Sequence, residues 1–382
     1  MLKILHIIPD LKKGGAERLV VDICNELSLR PAVAVKIVIF KDCNEYSYAT
    51  SLLDINIIPS MVIPSITNKP IIKIDELMQF IDHYKPDIIH SHLFEAEIVS
   101  RFKLCNGVKY FTHCHDNMPQ FNPFSIQTVI SKKKCTLFYE KMLLVRNYRI
   151  SKTTFIAISN HTVTFFQNSL SHRLKGNIRL LYNAINFNRF YSNKKDQKDL
   201  STLKLISIGS FVPKKNQQLL LSVVALLKKR GFTVALTLLG NGSEFDNLKN
   251  SSKRLGIEAF IKMPGNVDSV EQYLLQNDIY VHSAYYEPFG LVLLEAMAAG
   301  LPVVCLDGGG NKDIMVEGKN GYIIDEQNAA LFADKIIALY TNRILYNEMS
   351  TFAQQYAQQY DIKNYVDRLL ELYTLAPPCS LK

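Results

Sequence analysis

Residues 285–304 read YYEPFGLVLLEAMAAGLPVV and place two carboxylates, Glu287 and Glu295, in a stretch that is otherwise typical of a protein interior. The preceding DIYVHSA predicts a strand, YYEPFG a loop, LVLLEAMAA a helix that Gly300 and Pro302 stop, and PVVCL the next strand. This order predicts parallel strands joined by a crossover helix. Ligands of such sheets bind at the carboxyl ends of the strands, and the loop containing Glu287 lies at such an end.

The same alternation of strand and helix patterns runs along most of the chain. Strands are predicted at KILHII, VAVKIVIF, DIIHSH and KYFTHCH, with an amphipathic helix at GGAERLVVDICNELSL. The polar stretch YSNKKDQKDLST interrupts the pattern, which restarts with LKLISIG, VALTLLG, IKMPG, DIYVHSA and PVVCLD. The sequence therefore predicts an α/β protein with two Rossmann-like, doubly wound domains, at residues 1–185 and 203–358, joined by a linker at 186–202.

Glycine usage points to the second domain as the nucleotide-binding one. Thirteen of the 17 glycines lie at or after Gly209, most of them just past predicted strand ends. A tight turn and the close approach of a ligand both favour a residue without Cβ. The sequence lacks a P-loop motif, and Gly240 and Gly242 lack the third glycine of a dinucleotide fingerprint, because Phe245 takes its place. A P-loop enzyme and a nicotinamide-dependent enzyme are therefore disfavoured.

Positive charge is concentrated in the first half of the chain. Residues 1–185 contain 23 Lys and Arg against 15 Asp and Glu, so they contribute +8 of the net charge of +9. Segment 126–152 has seven basic residues and one acid, Glu140. Two interpretations stay open: a solvated helix face, or a surface that meets anionic lipid or a phosphorylated substrate. Nucleic acid is not expected, since no nucleic-acid-binding motif accompanies the segment.

Cysteine and histidine usage argues against disulfides and metal sites. The seven cysteines are widely spaced without a C-x-x-C pair, and no apolar run is long enough to span a membrane. We expect a cytoplasmic protein without a signal peptide. His90 with His92, and His113 with His115, are spaced to share one face of a strand, but neither pair has an obvious third ligand. The sequence also lacks an Asp-x-Asp pair for Mg²⁺ or Mn²⁺, so we expect no essential metal.

Motifs along nearly the whole chain resemble, in order, those of one enzyme family. EPFGLVLLEAMAAGLPVV resembles the E-x7-E signature of the retaining glycosyltransferases of family 4. The other motifs that fall in the family's order are GGAERL, HSHLFEA, FTHCHDN, YNAINFNRF, LISIGSFVPKKNQQLLL, LLGNGSE, PGNVDSVEQYLLQNDIYVHSA and EGKNGYII. The resemblance implies the GT-B architecture, in which two Rossmann-like domains face each other across a cleft. It also implies that a last helix, within residues 359–382, crosses back onto the first domain.

The resemblance implies roles for individual residues. Glu295 would hold the ribose hydroxyls of a nucleotide, Glu287 would contact the donor sugar, and Lys215 would neutralise the leaving diphosphate. His115 would approach the transferred sugar, and His113 would take that place if the motif is shifted by two residues. Backbone groups would line the phosphate and sugar pocket and contact the base, at Gly14, Gly15, Val267, Phe289, Gly290 and Leu291.

One position departs from the family pattern, because Ser210 stands in GSFVPKK where the family often has Arg. A charged hydrogen bond contributes about 1.5–3 kcal/mol, so its loss would weaken leaving-group stabilisation without removing Lys215, the helix dipole and the backbone donors. No carboxylate stands out as the nucleophile of a covalent route. Same-face displacement is therefore favoured, in which the leaving diphosphate takes the acceptor's proton.

These features predict a retaining, metal-independent glycosyltransferase. We expect a nucleotide-sugar donor, a UDP-sugar by preference, and a glycan or polyprenyl-diphosphate-linked acceptor in bacterial surface polysaccharide synthesis. Segment 126–152 would provide peripheral contact with the anionic inner face of the plasma membrane. Three alternatives stay open: an epimerase of the same architecture, a noncatalytic binding protein with a degenerate transferase fold, and a nicotinamide oxidoreductase.

Overall fold

The structure is a computed structural model that describes residues 1–64, 69–122, 131–192 and 201–380. The chain forms two compact units. The first comprises Met1–Asn183 together with Ile362–Lys382, and the second comprises Ala184–Asp361. Each unit is built on its own parallel sheet, which confirms the predicted α/β class. Within the described ranges, no helix is both long enough and apolar enough to cross a membrane.

The described part of the first unit contains a seven-stranded parallel sheet and a small antiparallel pair. The strands are β1 (Leu2–Ile8), β2 (Val33–Ile39), β3 (Ile55–Ile57), β4 (Met61–Ile63), β5 (Ile71–Lys73), β6 (Ile88–His92), β7 (Lys109–Cys114), β8 (Thr154–Ala157) and β9 (Ile178–Leu180). The sheet order is β3-β2-β1-β6-β7-β8-β9, and β4 pairs with β5. Six helices of this unit are α1 (Gly15–Ser28), α2 (Asp75–Tyr84), α3 (Leu93–Ser100), α4 (Lys132–Ile150), α5 (Asn160–Ser169) and α6 (His172–Lys175).

The middle of this sheet is closed to solvent. Ile4–Ile8 of β1, the whole of β6 and Tyr110–Cys114 of β7 are buried. Such burial on both faces is typical of parallel strands covered by helices. Polar side chains on these strands are therefore removed from water and depend on partners within the protein.

The described part of the second unit repeats the same construction with six parallel strands. The strands are β10 (Leu203–Ile208), β11 (Val234–Leu239), β12 (Ile261–Gly265), β13 (Ile279–His282), β14 (Val303–Leu306) and β15 (Gly321–Ile324). Their order is β12-β11-β10-β13-β14-β15. The helices are α7 (Phe187–Phe190), α8 (Gln217–Lys229), α9 (Phe245–Arg254), α10 (Val270–Leu275), α11 (Leu291–Ala298), α12 (Ala329–Thr341) and α13 (Arg343–Gln358). Strand order reverses between β10 and β13, which is where doubly wound sheets bind ligands.

The predicted linker differs from the structure at its first residues. The short helix α7 lies inside the range 186–202, and its Phe187 and Phe190 are buried in the second unit. Two aromatic side chains bury too much apolar surface to stay in a solvated linker, so the unit boundary falls earlier, between Asn183 and Ala184. Residues 193–200 of the predicted linker lie outside the described residues.

A last helix, α14 (Ile362–Leu375), belongs to the first unit. Its Tyr373 hydroxyl lies 2.6 Å from His90 Nδ1, and Lys109 Nζ donates to the Tyr373 carbonyl at 2.9 Å. Near the other end of the helix, Arg30 forms an ion pair with Asp367 at 2.8 Å. The first unit is therefore assembled from two separate stretches of chain.

The basic segment 126–152 is described from residue 131 onward, and 126–130 lie outside the described residues. Ser131 caps α4, and Leu144 and Tyr148 are the buried positions of this helix. Its remaining surface carries exposed lysines and arginines together with three exposed apolar side chains, Phe138, Met142 and Ile150.

Candidate donor site

The second unit gathers candidate residues along one edge of its sheet. Ser210 follows β10 by two residues, Val267 follows β12 by two, and Glu287 follows β13 by five. Because these strands are parallel, their carboxyl ends meet at the same edge. The predicted positions in this unit therefore share one edge, as a ligand site of this fold requires.

Glu287 is the centre of this edge. Its Oε2 accepts from Lys215 Nζ at 2.5 Å and from His282 Nε2 at 2.9 Å. The Glu287 side chain is only 10% exposed. Burial alone would raise the pKa of this carboxyl, but the Lys215 charge and the His282 hydrogen bond outweigh burial and lower the pKa to about 2. Glu287 is thus a carboxylate throughout the physiological range, held by two donors.

His282 connects Glu287 to a buried tyrosine. The Tyr280 hydroxyl lies 3.4 Å from His282 Nδ1, and a carboxylate can only accept, so Nε2 carries the proton that it donates to Glu287. Burial lowers the pKa of His282. A neutral His282 with its proton on Nε2 donates to Glu287 and presents the lone pair of Nδ1 towards the Tyr280 hydroxyl, which also lies 3.3 Å from the Ile208 carbonyl.

A glycine loop after β14 holds the backbone of Glu287. Glu287 N donates to the Gly308 carbonyl at 2.7 Å, and Gly310 N donates to the Glu287 carbonyl at 2.9 Å. A Cβ on Gly310 would overlap the carbonyl of Pro288. Asn311 stabilises the conformation of the loop, because its side chain accepts from Gly308 N at 2.8 Å and donates to the Leu306 carbonyl at 2.7 Å.

Helix α11 begins directly after this loop. Gly290 adopts φ +97, which favours glycine, and Leu293 N donates to its carbonyl at 2.9 Å. Leu291 is the first residue of the helix, and Phe289 is buried just before it. The amino end of this helix carries a partial positive charge, which favours an anion.

Glu295 lies in the second turn of α11 and is half-buried. Burial, followed by the charges of Glu287 and Glu295, raises the pKa of Tyr280 well above its usual range. Both carboxylates of the E-x7-E spacing therefore act on the same buried tyrosine.

Lys215 is positioned by the loop that follows β10. The turn Pro213–Lys215 is a 3-10 helix, and the Ser283 hydroxyl donates to the Lys215 carbonyl at 2.9 Å. Gln217 Nε2 donates to the Ser210 carbonyl at 3.1 Å, and the Ser210 side chain is exposed. Ser210 thus provides no charge at the position where the family often has Arg.

The predicted positions of the first unit also follow strand ends. Gly14 precedes α1, and its N–H donates to the Tyr46 hydroxyl at 3.0 Å, while Gly15 is the first helical residue. His115 follows β7 and is half-buried, with Nε2 2.9 Å from His92 Nδ1. Burial lowers the pKa of His115 well below its usual range. The alternative residue His113 is buried inside the sheet.

Sequence reasoning missed the residues that support these positions. His282 lies in the predicted strand DIYVHSA, whose pattern assigns it no role, and the run of three glycines before Asn311 is the sequence signal for close backbone approach. His6 was missed as well, although it provides the third histidine that the pair His90 and His92 lacked.

Two family models match the chain. The model of glycosyl transferases group 1 matches residues 189–356, and the model of glycosyltransferase family 4 matches residues 13–189. Together they span residues 13–356, with the boundary close to that between the two units.

Curated relatives match over parts of their length. The lipopolysaccharide core biosynthesis glycosyltransferase LpsE of Rhizobium meliloti is 36% identical over 132 residues, 35% of this chain and 38% of the relative. The poly(ribitol-phosphate) alpha-N-acetylglucosaminyltransferase of Staphylococcus aureus is 28% identical over 194 residues, 50% of this chain and 39% of the relative. The matched region thus spans about two fifths of the length of these two relatives.

Solved structures extend the likeness to the whole chain. HepE of Anabaena, in complex with UDP and glucose, superposes with a TM-score of 0.78 at 20% identity over 98% of this chain and all of that one. Two units with parallel sheets and this likeness define the GT-B class of fold. The chain belongs to the family 4, group 1 glycosyltransferases.

Proposed function

We propose that the protein is a retaining glycosyltransferase that moves a sugar from a nucleotide-diphosphate sugar to a glycan or lipid-linked acceptor. The observation that carries this proposal is the contact between Lys215 and Glu287 at the carboxyl edge of the second sheet, with Glu295 in the helix that follows. A cation beside a carboxylate suits a ligand that presents phosphate oxygens and hydroxyls side by side. A nucleotide-diphosphate sugar has this chemistry.

Each group has a proposed part in donor binding. Lys215 has three N–H donors, so it can keep its hydrogen bond to Glu287 while it donates to a diphosphate oxygen. Glu287 accepts from a hydroxyl of the donor sugar, and Glu295 accepts from the ribose hydroxyls. Backbone groups of Gly14, Gly15, Val267, Phe289, Gly290 and Leu291 complete the proposed contacts.

Transfer follows as a same-face displacement. The bond between the sugar and the diphosphate breaks, and the leaving oxygen takes the proton of the acceptor hydroxyl as the new bond forms on the same face. Lys215 and the amino end of α11 stabilise the negative charge that grows on the leaving group. His115 lies against the transferred sugar in this scheme. No step requires a metal ion, since the cation and the helix end carry the electrostatic role.

The comparisons support a UDP-sugar and a cell-surface acceptor. HepE was solved with UDP and glucose, and the two curated relatives are named for lipopolysaccharide core synthesis and for transfer to poly(ribitol-phosphate). We infer a UDP-sugar donor and an acceptor of bacterial surface polysaccharide synthesis. Helix α4, with its exposed cations beside Phe138 and Met142, is the proposed point of contact with an anionic membrane on the cytoplasmic side.

A thermal-shift panel of UDP, GDP, ADP and NAD without metal tests the donor proposal. A ligand at 100 times its Kd adds about 2.7 kcal/mol, enough to raise Tm by several degrees. We expect UDP to stabilise the wild type and to lose most of this effect in Glu295→Ala. Glu348→Ala is the matched control, because Glu348 is an exposed helical glutamate of the same unit.

The remaining outcomes decide between the alternatives. Stabilisation by NAD alone would favour an oxidoreductase and overturn the transferase proposal. If UDP binds but no UDP-sugar is consumed with any glycan acceptor, a noncatalytic binding protein is the better description. Conversion of a UDP-sugar into its epimer without an acceptor identifies an epimerase.

A further inference from the structure

Four histidine side chains lie on one face of three neighbouring strands in the first unit, and a fifth, His115, directly follows the last of these strands. In the parallel register His6 of β1 is opposite His90 of β6, and His92 of β6 is opposite His113 of β7. His115 lies just past the end of β7, where its ring stacks on that of His113 with centroids 4.2 Å apart. Contacting rings have centroids between 4.2 and 5.2 Å apart. Four of these histidines are buried and His115 is half-buried.

The ring nitrogens are only partly satisfied by hydrogen bonds. His92 uses both nitrogens, Nε2 with His6 Nδ1 and Nδ1 with His115 Nε2, each at 2.9 Å. His113 uses Nε2, which lies 3.4 Å from Asn183 Oδ1. Among the described residues, no hydrogen-bond partner is found for the buried His113 Nδ1, or for His6 Nε2 and His90 Nε2. A buried polar atom without a partner is uncommon and points to a ligand or to water.

The partner of His113 settles which of its nitrogens is basic. Asn183 Oδ1 can only accept, so His113 Nε2 carries the proton and Nδ1 presents a lone pair. His6 orders His92 in the same way, because His92 Nε2 can donate to His6 Nδ1 and leave His92 Nδ1 as a lone pair. Metal-binding histidines are oriented by a hydrogen bond on their second nitrogen in just this manner.

We propose that His92, His113 and His115 bind one divalent transition-metal ion of the zinc class. Their ring nitrogens lie within 4.8 Å of one another. Three ligands of a tetrahedral zinc ion lie about 3.3 Å apart, because each Zn–N bond is about 2.0–2.1 Å, so small side-chain rotations close the site. Imidazole nitrogens suit zinc, copper and nickel rather than Mg²⁺ or Ca²⁺. Three histidines leave a fourth coordination position for water or another ligand.

A second group of three histidines competes for the same role. His6, His90 and His92 also bring ring nitrogens within 4.8 Å of one another. All three side chains are 0% exposed, whereas His115 is half-buried. The ion can reach the group that contains His115 from the surface, and His6 then serves as the hydrogen-bond partner of His92.

The proposed site has a consequence for transfer that rests on the proposed function. A metal ion on His115 Nε2 fixes the ring and adds positive charge where the transferred sugar is proposed to lie. Zinc is therefore expected to inhibit transfer, whereas metal binding itself does not depend on any transferase activity. If zinc inhibits transfer without binding at these histidines, the proposed metal site is wrong. If zinc binds there without inhibiting transfer, the proposed contact of His115 with the transferred sugar is wrong.

Titration of the full chain with Co²⁺ tests the site directly. The wild type is expected to bind one equivalent and to show the visible absorption of tetrahedral Co²⁺, which Zn²⁺ then displaces. Asn183→Leu should weaken Co²⁺ binding by about 10- to 100-fold, because the variant keeps all three ligands and loses only the partner of His113. His83→Gln is the matched control, since His83 is exposed on α2, and its affinity should equal that of the wild type.

A second measurement does not depend on whether the variants fold. X-ray absorption at the zinc edge of the wild-type protein with one equivalent of Zn²⁺ should show three imidazole ligands. Fewer than three imidazoles, a Co²⁺ spectrum without the tetrahedral bands, or loss of binding in His83→Gln would each overturn the proposal.

Discussion

Lys215 Nζ and His282 Nε2 both donate to the same oxygen of Glu287, at 2.5 and 2.9 Å. The two donors differ in kind. Lys215 is a charged group on a flexible stem, whereas His282 is neutral and locked between Tyr280 and Glu287. The lysine can therefore follow a ligand while the histidine keeps the carboxylate in place.

Removing the charge of Lys215 should slow transfer. In Lys215→Ala the leaving diphosphate loses a charged donor, and loss of one such group costs about 10²–10³ in kcat. Lys249→Ala, at an exposed position of α9, is the control and should keep wild-type rates. Steady-state rates with UDP-sugar measure the effect. A Lys215→Ala enzyme within a few fold of the wild type contradicts the proposed role.

His282 should affect the positioning of the donor sugar through Glu287 without changing the affinity for UDP. Loss of its hydrogen bond in His282→Phe is expected to lower kcat/KM for the sugar nucleotide about tenfold, equivalent to about 1.4 kcal/mol. The Tm shift produced by UDP should not change, because UDP lacks the sugar.

His282→Gln provides the test of mechanism. A glutamine Nε2 can replace the donor that the imidazole supplied, so this variant should recover most of the activity. Equal losses in the Phe and Gln variants would indicate a packing role only.

Glu287 should make stability depend on pH below the ordinary carboxyl range. Its folded pKa is about 2 against 4.5 for the free side chain, so the unfolded chain binds a proton first and stability falls as pH drops from about 4.5 to about 2. One pKa unit corresponds to about 1.4 kcal/mol, so the contribution at neutral pH is about 3 kcal/mol.

Urea unfolding of wild type and Glu287→Gln measures this contribution. The wild type should exceed Glu287→Gln in free energy of unfolding by a constant amount above pH 4.5. This difference should become smaller as the pH is lowered towards about 3. A difference that stays constant over that range would show that the carboxylate is not held as described.

The glycine loop after β14 should tolerate no side chain at Gly310. Gly310→Ala places a Cβ on the carbonyl of Pro288, so the loop must move and Glu287 with it. We expect a loss of about 3 kcal/mol in the free energy of unfolding. At Gly176 an added Cβ meets no atom of the described residues within 4 Å and φ is −65, so Gly176→Ala should be nearly neutral.

Arg101 should be among the most sensitive positions of the first unit. Its guanidinium is fully buried and donates to the Ser91 and Thr112 hydroxyls and to the Phe111 carbonyl. Arg101→Met removes the cation from these acceptors and from the buried Glu97. This substitution should lower the free energy of unfolding by about 3–5 kcal/mol. Lys103→Met, at an exposed position nearby, should change the free energy of unfolding little. Similar values for both variants would contradict this account.

The sequence allowed the local elements to be predicted because their signals are local. The strand before Glu287, the helix that contains Glu295 and the glycine at its start follow from burial patterns and from breaker residues within about 20 positions. Shared family motifs added Lys215 and His115 as candidate residues. All of these positions lie just past strand ends or in the helix that follows, where a parallel sheet places its ligands.

The rest depends on which strands become neighbours. His6 meets His92 only because β1 lies beside β6, a pairing across 86 residues that no local pattern encodes. The hydrogen bond of His282 to Glu287 depends on how the loop after β13 turns back, which the Gly308–Gly310 loop decides. Strand order and loop conformation are tertiary properties, so composition and periodicity could not predict them.

The bond between Tyr373 and His90 joins residues 283 positions apart, with the whole second unit encoded between them. During synthesis β6 is made long before α14. The first unit therefore stays incomplete until its last helix has been synthesised, while the second unit can already fold. Tyr373, whose hydroxyl contacts His90 and whose carbonyl accepts from Lys109, is synthesised only after the second unit ends at residue 361. Contacts this distant in sequence slow folding and leave apolar surface exposed during synthesis. The second unit, being continuous in sequence, can complete its fold first and the split unit last.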